Sequence, residues 1–119
     1  MIEKRRYHRF SVQLPCSFKS PNSVSSIATA TTLDISALGL CFTSKEELKM
    51  GQALPLEITL PDNERIMIYV EVVWVKESDV LTYSEYTTGV KILEPMRGDE
   101  PKFIKFYAAK LLTMLKSQP

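Results

Sequence analysis

Apolar and polar residues alternate with a period of two along most of this 119-residue chain, and that pattern narrows its folds more than any other feature. Side chains on a strand point alternately to opposite faces, so such runs mark strands with one buried face. In residues 11–19, Val12, Leu14, Cys16 and Phe18 point one way, while Ser11, Gln13, Ser17 and Lys19 point the other. Pro15 cannot donate a ladder hydrogen bond, so an edge position or a bulge is expected there. Leu38, Leu40 and Phe42 repeat the pattern, as do Leu54, Leu56, Ile58 and Leu60. The longest run, residues 65–76, places Ile66, Ile68, Val70, Val72 and Trp74 on one side, and Thr88, Val90 and Ile92 close the series. Residues 28–36, ATATTLDIS, have strong β propensity with weaker alternation, which brings the expected total to six strands.

Residues 20–26 read as a polar loop, PDNE at 61–64 as a tight hairpin turn, and 76–86 as a longer excursion. Six short strands on mostly hairpin-length links predict an all-β core, an antiparallel barrel or sandwich. The period changes near the C-terminus. Asp99 is a plausible N-cap and Pro101 falls in the first turn, so a helix is expected over 99–116. Ile104, Tyr107, Ala108, Leu111, Leu112 and Leu115 form its expected apolar face, widened by Phe103, Phe106 and Met114. Such a helix either plugs one end of the barrel or offers part of its face to a partner or a second copy.

Length predicts a single domain over 1–119: an N-terminal arm over 1–10, a barrel over 11–93 and the helix over 99–116. No apolar run approaches the ~18 residues of a membrane span, and no apolar signal region follows the charged N-terminus, so a cytoplasmic protein without membrane insertion is expected. Cys16 and Cys41 fall inside apolar alternating runs and read as buried small hydrophobes, with no metal-binding spacing. The only histidine, His8, lies among arginines whose charge repels a metal ion. With no HExxH, GxSxG or phosphate-cradling glycine loop, the chain reads as a non-enzyme that needs no cofactor.

Two short segments carry recognition chemistry. Residues 4–10, KRRYHRF, hold four of the fifteen lysines and arginines of a chain whose net charge is only +1. A guanidinium can donate paired hydrogen bonds to guanine O6 and N7 or to phosphate oxygens, and can stack on a base. Residues 34–39, DISALG, set Asp34 and Ser36 two apart at a strand end, an arrangement expected to project both to one face. Asp34 can accept from guanine N–H groups, Ser36 can donate to phosphate, and Gly39 lets backbone come close. Read without a ligand, the same segments are a solvated basic arm and an Asp/Ser turn. Arginines with a carboxylate suit a guanine-containing anion better than a nucleic-acid polymer, which needs no acceptor.

RxxxR at Arg5–Arg9, followed by DxSxxG at Asp34–Gly39, resembles the PilZ domain family of bacterial cyclic di-GMP receptors. VEVVWV and TTGVKIL look like that family's last two strands, with Trp74 and Gly89 in expected places. The resemblance covers essentially the whole chain. It implies a six-stranded antiparallel barrel with a C-terminal α-helix, and an arm that clamps the ligand against the barrel. By this likeness Arg5 and Arg9 contact guanine edges and phosphates, Asp34 and Ser36 hold a guanine from the other side, and Gly39 keeps the turn's shape. Lys4 and Arg6 are additional candidate contacts. Lys4 precedes RxxxR, a position that in this family influences whether one ligand or a stacked pair binds, and a basic residue there favours two. Leu38 stands where many relatives carry a second glycine.

The implied partners are cyclic di-GMP, a protein that responds to it, and a second copy through the C-terminal helix. The alternative is a PilZ-like interaction module that binds no nucleotide and acts through that helix. A barrel for single-stranded nucleic acid would need several exposed aromatics beside its cations, and Tyr7 is the only one so placed.

Overall fold

The computed structural model describes residues 9–19, 27–80, 83–95 and 100–116. Its elements are β1 (Phe10–Ser11), β2 (Pro15–Lys19), β3 (Ile27–Ile35), β4 (Gly39–Ser44), β5 (Ala53–Thr59), β6 (Arg65–Val80), β7 (Tyr83–Pro95) and α1 (Glu100–Lys116). Strands β3, β2, β5, β6, β7 and β4 are neighbours in that order, and β4 returns to pair with β3. Every pairing is antiparallel, so the six strands close into a barrel rather than a sandwich. Short β1 pairs further along the edge of β3 that β2 occupies.

The alternating runs fill the barrel. Leu14, Cys16 and Phe18, Leu40 and Phe42, Leu54, Leu56 and Ile58, and Ile66, Ile68, Val70 and Val72 are buried together. Each Val, Leu, Ile or Phe side chain among them contributes about 1.5–3 kcal/mol relative to exposure. Between β1 and β2 the ladder breaks at Val12–Leu14, one step before Pro15, and the fully buried Thr32 mends it. Its hydroxyl donates to the Val12 carbonyl (2.6 Å) and accepts from the Leu14 amide (2.8 Å). The PDNE turn is tight, as expected. The Asn63 amide donates to Leu60 O (2.9 Å), and Asn63 takes a left-handed φ of 70°, which asparagine tolerates.

Three expectations need correction. Residues 76–80 and 83–86 are not a loop: β6 and β7 continue as a ribbon, pairing Lys76 with Thr87, Glu77 with Tyr86 and Ser78 with Glu85. The run contains neither glycine nor proline, the usual strand breakers. Trp74 does not share a face with Val72. The register shifts between Val72, opposite Val90, and Trp74, opposite Gly89. That extra residue reverses the alternation, so Val75 packs on the core while Trp74 is 43% exposed on the outer wall.

The third correction concerns α1. Phe103 is buried in the barrel core, and Phe106, Tyr107 and Leu111 are half-buried, whereas Ile104, Ala108 and Leu112 face outward, Ile104 at 56% and Leu112 at 57% exposure. A step of one residue turns a helix by about 100°. Seating the aromatic set, which carries more apolar area, turns the Ile104–Leu112 stripe away. The rings of Tyr107 and Phe10 meet edge to face at 5.3 Å between centroids. The polar loop at 20–26, the Asp99 cap, and the side chains of Met114 and Leu115 lie outside the described residues.

Candidate functional site

A second register shift builds the site. Along β3, Ala28, Ala30 and Thr32 turn inward, and strict alternation would carry Asp34 into the barrel. The ladder to β4 shifts between Thr32, opposite Phe42, and Asp34, opposite Cys41. Ile35 therefore fills the core and Asp34 emerges on the outer wall. Phe10 pairs with Ile35, which sets Arg9 on the same outer face. The Arg9 guanidinium donates from Nη1 to Asp34 Oδ1 at 2.6 Å, joining two segments 25 residues apart.

Ser36 is placed differently from Asp34. β3 ends at Ile35, so Ser36 belongs to the turn, where it is buried. Its hydroxyl donates to Gly39 O (3.1 Å) and accepts from the amides of Leu38 (3.3 Å) and Gly39 (3.2 Å). One donor and two lone pairs are thus all engaged within DISALG. The Ser36 amide also donates to Gly39 O, at 2.8 Å. A Cβ on Gly39 would stand 2.6 Å from Val90 O, so only glycine lets β4 approach β7 this closely. Lys4, Arg5 and Arg6 lie outside the described residues.

Ser11, Asp34, Cys41, Gly89 and Trp74 stand in register across β1, β3, β4, β7 and β6. One lateral row of the wall thus runs from the Arg9–Asp34 pair to an indole. A Cβ on Gly89 would overlap the Trp74 ring, so the indole lies on bare backbone. Cys41 sits between them. Burial and the Asp34 carboxylate push its thiol up to about 11, against the lowering influence of Arg9, so it is protonated at neutral pH. In the next row Lys91 stands opposite Gly39, with Nζ 3.7 Å from Glu71 Oε1. Neither Trp74 as a surface group nor Lys91 was legible without the register: the first needs the bulge, the second the pairing across β4 and β7. Among the described residues no cluster of His, Cys, Asp and Glu could hold a metal ion.

The PilZ domain family model matches residues 3–109. The chain belongs to the PilZ domain family. Among curated proteins none matches the sequence. Solved PilZ-like structures share the fold. The inhibitor of motility MotI/DgrA of Bacillus subtilis superposes with a TM-score of 0.73 at 19% identity, over 98% of this chain and 54% of that one. The PilZ domain of YcgR from Escherichia coli, solved with c-di-GMP, gives 0.69 at 15% identity over 97% and 98%. MrkH, described as a c-di-GMP-dependent transcription regulatory factor, gives 0.71 at 18% identity over 98% and 53%. The chain spans about half the length of MotI/DgrA and MrkH. At these identities the likeness is one of fold.

Proposed function

We propose that this PilZ domain is a non-enzymatic cyclic di-GMP receptor, and that the ligand binds on the outer wall around Arg9 and Asp34. The observation that carries this reading is the Arg9–Asp34 ion pair, which brings the two motif segments together at the mouth of the DISALG turn. The guanidinium has donors left for phosphate or a guanine edge, and the carboxylate has lone pairs left for guanine N–H groups. Arg5 supplies the second guanidinium, with Lys4 and Arg6 as further contacts, and Lys4 favours two stacked ligands. Ser36 and Gly39 act by holding the turn that presents Asp34. The flat ring of Trp74, on the same row, offers a purine a surface to stack on.

Ordering the arm is a route by which so small a ligand changes what the protein presents to a partner in the cytoplasm. Phe10 follows Arg9 directly and touches Tyr107, so that change reaches α1. The outward stripe of Ile104 and Leu112 favours a second reading, an interaction module or homodimer acting through the helix without nucleotide.

Calorimetric titration with cyclic di-GMP separates the two. Wild type is expected to bind saturably, and Arg9→Ala or Asp34→Ala to weaken binding roughly ten- to a hundredfold, the worth of about 1–3 kcal/mol for a bidentate contact. Unchanged affinity in both variants would refute the site. No binding by the folded wild type would leave the interaction module.

A further inference from the structure

On the flank of α1 away from Phe10, a groove of about 350 Å³ separates the helix from the β5–β6 turn. Leu60, Pro61, Phe106 and Ala109 make its apolar surface, Lys102, Lys105 and Lys110 line its helix side, and Asp62 and Glu64 line its turn side, so three cations face two carboxylates. Nothing in the cyclic di-GMP reading uses it. We propose that this groove docks an acidic segment of a partner protein, seating one apolar side chain on Phe106 and Leu60 and setting carboxylates against Lys105 and Lys110.

Three observations support that occupant. First, both walls are fixed before binding. The turn is pinned by Leu60 N to Glu64 O (2.7 Å), Asn63 N to Leu60 O (2.9 Å) and Glu64 N to Asp62 Oδ1 (3.0 Å). The helix is anchored by buried Phe103. A preformed groove costs a partner little ordering. Second, the charge is unevenly met. Lys102 is taken up by Glu64 at 3.2 Å, which ties the two walls together. Lys105 and Lys110 have no carboxylate partner among the described residues, and Lys110 Nζ instead lies 5.9 Å from the Phe106 ring centroid. A carboxylate beside an apolar side chain completes both cations without displacing that contact.

Third, the size and form suit a side chain offered from a passing segment. The volume is at the low end of the roughly 300–1,000 Å³ of small-ligand sites, and Pro61, Lys105, Ala109 and Thr113 on its rims are exposed, so the groove is open rather than enclosing. A second copy fits less well, because a twofold axis through the groove sets the same lysines against each other.

The test is an amide NMR titration of the whole protein with two blocked hexapeptides, Asp-Glu-Leu-Phe-Asp-Glu and Lys-Lys-Leu-Phe-Lys-Lys, with sedimentation alongside. The acidic peptide is expected to shift amides of Leu60–Glu64 and of Lys105–Thr113, saturably. The double variant Lys105→Glu, Lys110→Glu, which reverses both charges, should weaken this by about tenfold or more, as expected for two ion pairs turned repulsive. Equal shifts with the basic peptide, no shift, or an undiminished response in the double variant would overturn the proposal. Self-association that the same variant abolishes would give the groove to a second copy and also overturn it. None of these outcomes depends on cyclic di-GMP binding.

Discussion

Two threonines buried in the same barrel do opposite things. The Thr32 hydroxyl holds the break between β1 and β2 through Val12 and Leu14, whereas the Thr88 hydroxyl, equally buried, has no hydrogen-bond partner among the described residues. An unpaired buried polar group costs about 1–3 kcal/mol, and a satisfied one contributes. Thr32→Val is therefore expected to lower stability by about 1–3 kcal/mol, and Thr88→Val to raise it by about 1 kcal/mol. Urea unfolding with unchanged m-values reads both as shifts of the midpoint. Similar shifts of one sign would refute the distinction. The Arg9–Asp34 pair lies at this scale too, but its place is on the surface of the ladder and its consequence is binding.

At the scale of elements, a single extra residue in a strand decides which side chains meet solvent. The shift in β6 puts the chain's one tryptophan on the wall over Gly89, where its fluorescence reports that surface alone. Gly89→Ala must push the indole off the backbone, so a changed emission spectrum with retained β-sheet circular dichroism is expected; an unchanged spectrum would mean the ring does not rest there. Helix α1 allows a like comparison. Phe103→Ala should cost about 3–5 kcal/mol, and Leu112→Ala, on the outward stripe, no more than about 0.5 kcal/mol. Equal losses in thermal or chemical melts would show that the seated face has been misassigned.

For the whole molecule, two linked equilibria follow from what the folded state buries. Burial pushes the Cys16 thiol up to about 12, and burial with Asp34 pushes Cys41 up to about 11, from an ordinary 9.0. The folded state thus holds these protons after the unfolded chain has lost them. Their stabilisation is complete below about pH 9 and is lost as pH rises through 11–12. Cys16→Val should melt with a shallower decline than wild type above pH 9, and parallel curves would exclude the thiol. Ligand linkage acts the other way. Cyclic di-GMP at a hundred times its Kd is expected to add about 2.7 kcal/mol to stability, raising the Tm by several degrees in wild type and not in Arg9→Ala.

The sequence by itself determined the alternating strands, the C-terminal helix and the PDNE turn, because each depends on chemistry within a few residues: alternation, breakers and side-chain type. Tertiary structure alone decided which way Asp34 and Trp74 point, since a bulge exists only when two strands are laid in register and reverses every side chain beyond it. It also engaged the Ser36 hydroxyl within its own turn, and chose the aromatic face of α1 over the aliphatic one. Periodicity measures how much apolar surface an element carries. What that surface meets is fixed only when the barrel closes.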